Sequence, residues 1–127
     1  MAERLEIYKC EVCGNIVEIL HGGKGQLYCC GKPMLLLPEK TEDEGREKHI
    51  PVIENTETGR VIKVGAIPHP MLENHYIEWL DVVTEHCVKR HFFLPGDEPR
   101  IEMKCDCKII KVREHCNVHG LWAKYGA

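Results

Sequence analysis

Four cysteines crowd the first thirty residues, as Cys10-x2-Cys13 and then, after fifteen intervening residues, the vicinal pair Cys29-Cys30. No other feature limits the fold so strongly. A segment of fewer than about 40 residues seldom buries enough apolar surface to fold unaided. Four thiolates on one tetrahedral metal supply the missing stability, so a site here is structural whatever else it does. Tetrahedral sulfur suits zinc or iron. On spacing alone, a zinc knuckle that only holds the fold stays open. The adjacent second pair differs from the C-x-x-C of zinc ribbons and distorts the ligand angles away from a symmetric knuckle.

The 127 residues suffice for one domain, or for a very small one plus a modest one. A net charge of -3 with no run of Lys/Arg argues against nucleic acid as the main partner. An anionic ligand would therefore need a local positive field. No stretch is long and apolar enough to span a membrane, and the start, Met-Ala-Glu-Arg-Leu-Glu, lacks the apolar core of a signal peptide. The expected compartment is the cytoplasm. There, eight cysteines beside eight histidines point to metal before disulfides.

Residues 1–37 alternate short apolar runs with glycines, the pattern of short strands and tight turns. Residues 38–48 are polar and read as a linker, with Thr41 and Glu44 as a capping box for one helical turn. Residues 49–127 read as all-β, with strands expected over 49–54, 60–67, 75–83, 86–94, 101–113 and 121–125. That count suggests a small immunoglobulin-like β-sandwich. Ile101, Met103, Cys105, Cys107 and Ile109 alternate on one face, and the parity changes at Ile110 and Val112, which predicts a bulge. Cys105 and Cys107 are expected as buried thiols, and Cys87 as structural.

A second ligand set lies in the C-terminal part. Cys116-x2-His119 follows the expected long strand, and two ligands at that spacing in a loop can reach one metal. His69 stands between two prolines, which restrict the backbone and fix the ring's direction. His75 starts a strand, and His49 opens the first strand after the linker. Each histidine alone reads as a surface or core residue, and their convergence in space is not given by spacing.

At these residues the chain resembles the desulfoferrodoxins, the two-iron class of superoxide reductase. The resemblance rests on Cys10-x2-Cys13…Cys29-Cys30, Glu47-Lys-His-x-Pro51, His69-Pro70, His75 and Cys116-Asn-x-His-Gly120, and covers nearly the whole chain. It implies a small desulforedoxin-like domain followed by the sandwich. It implies two irons: one held by Cys10, Cys13, Cys29 and Cys30, the other by equatorial His49, His69, His75 and His119 with axial Cys116 and an open sixth position. There superoxide would be reduced to hydrogen peroxide with electrons from a donor such as rubredoxin. Lys48 would attract superoxide and organise water for protonation, and Glu47 would take the sixth position after product leaves. By the residues alone, both belong to a solvated charged segment. Backbone N–H groups of Val118 and His119 are expected donors to the Cys116 sulfur. A homodimer is implied, and calcium at a dimer surface is left open. His115 departs from the tyrosine often found there, and Trp122 packs near the site or in the core. A non-catalytic iron electron carrier and a zinc-stabilised interaction module are the competing readings; anion binding separates the first, metal analysis the second.

Overall fold

A computed structural model describes residues 2–42, 49–67, 69–104 and 107–126, and every regular element among them is a β-strand. The chain divides into two compact units, Met1–Pro38 and Glu39–Ala127. No helix among the described residues is long and apolar enough to cross a membrane.

In the first unit, β1 (Ile7–Lys9) lies between β2 (Ile16–Glu18) and β5 (Leu35–Leu36), antiparallel to both. A separate hairpin joins β3 (Tyr28–Cys29) to β4 (Lys32–Pro33). Strands this short bury little: Ile7, Cys10 and Met34 are the buried apolar side chains among the described residues. Cys30 and Gly31 form the two-residue β3–β4 loop with φ of 53° and 74°. Positive φ at both central residues is the signature of the hairpin turn whose twist matches the strands, and at Cys30 it is costly for a side chain.

The second unit has two antiparallel sheets. One has the order β10-β7-β6, from β6 (Pro51–Thr56), β7 (Gly59–Val64) and β10 (Arg100–Met103). The other has the order β12-β11-β8-β9, from β8 (Ile77–Thr84), β9 (Val88–Phe92), β11 (Ile109–Cys116) and β12 (Gly120–Tyr125). Ile62, Val64, Ile101 and Met103 from the first sheet join Leu80, Val82, Ile109, Val112 and Cys116 from the second in one core. The all-β sandwich expected from the strand pattern is the observed fold.

Two details differ from the expected strands. The run 101–113 is not one strand: β10 ends at Met103 and pairs with β7, while β11 begins at Ile109 and pairs with β8 and β12. The chain changes sheets between them, because one straight strand cannot be paired in both layers. Cys107 is half-buried and disulfide-bonded rather than a buried thiol, and Cys87 is an exposed free thiol. Cys105 lies outside the described residues, as does Glu44 of the expected capping box. The bulge expected at Ile110 is present, as a register shift between Ile109 and Lys111 that turns both Ile109 and Val112 to the core.

The outer face of the β8–β11 pair carries buried charge. Asp81 accepts from Arg113 Nε at 2.8 Å and from Arg90 Nε and Nη2 at 2.5 and 3.0 Å. Arg113 also reaches Glu39 Oε2 at 3.2 Å. Burial pushes the Glu39 carboxyl up, but Lys111, Tyr125 and Arg113 outweigh it and hold it below the usual carboxylate range. Asp81→Ala leaves Arg113 buried beside one partner fewer. We expect it to cost about 3 kcal/mol or more in urea unfolding, with Asp81→Ala/Arg113→Met recovering part of the loss.

Candidate metal centres

In the first unit, sulfur spacing alone is diagnostic. Cys13 Sγ lies 3.6 Å from Cys29 Sγ, and Cys29 Sγ lies 3.9 Å from Cys30 Sγ. A disulfide needs about 2 Å. A tetrahedron with metal–sulfur bonds of about 2.3 Å has edges of about 3.8 Å, so the thiols already stand where one metal would hold them. All four ligand atoms fall within 4.8 Å of one another. The first knuckle is held by Cys10 N–H donating to Asn15 O (2.8 Å) and Gly14 N–H to Cys10 O (2.9 Å). Cys13 N–H points at Cys10 Sγ and Asn15 N–H at Cys13 Sγ, both at 3.5 Å. Chiefly through the Cys13 N–H, the Cys10 thiol is brought down to about 6, whereas Cys30, hydrogen-bonded to Cys13 and its neighbours, is driven up to about 12.

The second unit assembles the other set from four separate segments. His49 precedes β6. His69 lies in the loop after β7. His75 closes a two-way backbone bridge with Leu72, N–H to O at 2.9 and 3.1 Å. Cys116 ends β11 beside a second register shift, at His115/Cys116, which aligns it with Ile77. His119 lies in the turn to β12, which needs Gly120 at φ 87°. Asn117 ties that turn to the His75 segment: Tyr76 N–H donates to its Oδ1 at 2.9 Å, and its Nδ2 donates to Asn74 O at 3.3 Å.

The result is a closed ring of four imidazoles. Neighbouring ring centroids, His49–His69–His75–His119 and back to His49, are 4.8, 4.8, 5.0 and 4.8 Å apart, every pair edge-to-face. Cys116 joins them with its Sγ 3.8 Å from His119 Nδ1, and the five ligand atoms lie within 4.8 Å of one another. Cys116 and His69 are buried, whereas His119 is exposed, so the group opens to solvent on that side. His49 stacks on Trp122 at 4.5 Å and 13°.

These residues fit a metal. His69 Nδ1 lies 2.7 Å from Pro70 O. A carbonyl only accepts, so Nδ1 carries the proton and Nε2 keeps its lone pair. That Nε2 is buried with no hydrogen-bond partner among the described residues. A buried orphan acceptor facing three other imidazoles and a thiol is the arrangement a cation satisfies. Burial pushes the Cys116 thiol up, opposed by the N–H groups of His119 and Val118 that donate to its sulfur. His115 stacks on Trp79 at 4.5 Å, with Nδ1 3.1 Å from Glu78 Oε1 but off the hydrogen-bond direction.

All nine expected ligands fall into these two groups. Glu47 and Lys48 lie outside the described residues. Trp122 is both core and site neighbour. Residue-by-residue reading missed Lys40, whose Nζ donates to His119 O at 2.9 Å. Its only signal was a lysine in a polar segment.

A tetrathiolate unit joined to a β-sandwich with a four-histidine, one-cysteine group defines a two-centre metalloprotein. The chain belongs to the desulfoferrodoxin family: residues 2–37 match its N-terminal domain, and residues 41–125 match the desulfoferrodoxin domain itself. Desulfoferrodoxin of Syntrophotalea carbinolica is 53% identical over 99% of this chain and 100% of its own length. A superoxide reductase of Pyrococcus abyssi is 31% identical, covering 65% of this chain and 89% of the relative. The crystal structure of the superoxide reductase from Treponema pallidum has the same fold, with a TM-score of 0.77, 24% identity, and coverage of 97% of this chain and 99% of that one.

In the metal-free chain, burial holds His69 at about 4 against an ordinary 6.5. The folded state then binds fewer protons than the unfolded state between those values, so stability falls as pH drops through that window. Urea titration of metal-free protein should give a lower midpoint near pH 5 than near pH 7, with a smaller difference in His69→Gln.

Proposed function

We propose that the chain is a superoxide reductase, reducing superoxide to hydrogen peroxide with electrons from an external donor such as rubredoxin. The observation that carries this reading is the closed ring of four imidazoles joined by the buried Cys116 and open on the His119 side. Imidazole and thiolate together suit iron, which when bound here in the ferrous state supplies the single electron. The chain's own residues supply the rest. Four neutral imidazoles and one thiolate leave a ferrous site at about +1, attractive to an anion despite the acidic chain. The Pro70 carbonyl keeps His69 Nε2 free to ligate, and Trp122 covers one face of His49. Lys48, next to His49 in sequence, would draw superoxide in and order the water that delivers protons. Glu47 would fill the open coordination position once product has left.

Balance requires one electron and two protons per superoxide, with no dioxygen formed, hence the donor. Cys10, Cys13, Cys29 and Cys30 would hold a second iron, at about -1 when ferric and so repellent to superoxide. The reading includes a cytoplasmic homodimer. The P. abyssi relative, named a superoxide reductase, supports the proposed activity.

Metal analysis of the purified protein should find two irons per chain, with the red colour of ferric tetrathiolate. Fast mixing of reduced protein with superoxide should oxidise the second iron rapidly. A reduced protein that reacts no faster than its His75→Ala variant would sink the reading.

A further inference from the structure

Lys40 stands in a polar segment, yet its backbone is fixed on both sides. Its N–H donates to Leu121 O at 3.0 Å, and its carbonyl accepts from Ala123 N–H at 2.8 Å, forming a parallel bridge opposite Trp122. The preceding Glu39 is pinned by Lys111 at 2.6 Å, by Arg113 and by the Tyr125 hydroxyl. The Lys40 side chain therefore leaves a rigid strap rather than a loose linker.

From that strap the ammonium reaches one of the four histidines directly and a second through Trp122. Nζ donates to His119 O and lies 5.0 Å from the centre of the Trp122 ring, which in turn stacks on His49. The turn it grips also holds the Val118 and His119 N–H groups that donate to Cys116. A Cβ placed on Gly120 would meet Lys40 Nζ at 3.8 Å, so the ammonium lies against the turn itself.

We propose that Lys40 is a positioning residue of the second metal centre. Its ammonium holds the His119 turn and the Trp122–His49 stack in place, and its charge biases the centre toward the less positive oxidation state. The proposal assumes a redox metal at this site but not that superoxide is its substrate. A cation near a metal disfavours the more positive ferric state. Because Lys40 is exposed, the effect is modest and salt-sensitive.

The test compares Lys40→Met, which keeps the aliphatic stem and both backbone bonds, with Lys40→Arg, in the iron-loaded full chain. Redox titration should place the midpoint of the four-histidine iron lower in Lys40→Met than in wild type, with the gap narrowing in high salt. The tetrathiolate iron, the internal control, should not move. Chelator-driven release of metal from the second centre should be on the order of two- to fivefold faster, and Lys40→Arg should restore both. If Lys40→Met folds poorly, Lys40→Gln replaces it in the same measurements. A midpoint and release rate equal to wild type in the neutral variant would overturn the proposal, as would equal loss in Lys40→Arg. Neither readout uses superoxide. An unreactive wild type with a shifted Lys40→Met midpoint would therefore reject the proposed activity and keep Lys40 in its role.

Discussion

The β8–β11 pairing governs the second unit, because the same ladder that closes the core also sets where the ligands meet. Val112 faces Val82 toward the core, while Arg113 faces Asp81 outside it. Two register shifts interrupt the ladder. The first keeps Ile109 and Val112 on the core side, and the second brings Cys116 level with Ile77 at the mouth of the His75 segment. Bulges of this kind re-aim a side chain without dissolving the sheet. Asn117, one residue past the end of the ladder, then joins the Cys116 turn to Tyr76 and Asn74. Sheet pairing thus fixes Cys116, and the loops anchored on the sheets carry His49, His69, His75 and His119 to it.

Charge explains why one chain carries two such different donor sets. Four thiolates overcompensate a ferric ion, whereas four neutral imidazoles and one thiolate undercompensate a ferrous one. The second arrangement works only if the imidazoles stay neutral as they are brought together. Burial does this at His69, and the Pro70 carbonyl fixes which nitrogen keeps the proton. The thiolate is the member that burial makes costly, and the N–H groups of Val118 and His119 lower that cost where it arises.

Much of this was legible in the sequence, for reasons that differ by residue. The cysteine pattern was readable because too few apolar residues accompany it to make a core. The strands were readable from alternation, and so was the bulge at Ile110, since a parity change has no other simple cause. The end of β10 at Met103 was not, because alternation through Cys105 and Cys107 continues the sequence pattern while the pairing partners of β10 and β11 lie in different sheets. Glu39 and Lys40 read as linker in the sequence because their partners, Lys111, Arg113, Tyr125 and His119, lie more than seventy residues away. A charged residue reveals its role only through contacts that local composition does not encode. The convergence of His49, His69, His75 and His119 was equally hidden from spacing and entered only through resemblance.

The two thiol-bearing sites also differ in what they ask of protons. In the first unit Cys10 is brought down to about 6, while Cys29 is raised and Cys30 is driven up to about 12. Cys10 is the thiol that ionises most readily, and Cys29 and Cys30 share hydrogen bonds within the same cluster. Filling that site must expel several protons, so its occupancy is tied to pH and to folding of a unit with almost no core. The second site needs only Cys116 to ionise, and its sandwich has a core of its own. A metal there can change oxidation state, with the neutral imidazoles leaving room for an added positive charge, while the fold stays where the strands put it. On the proposed reading, the first centre would serve structure and the second would serve the chemistry.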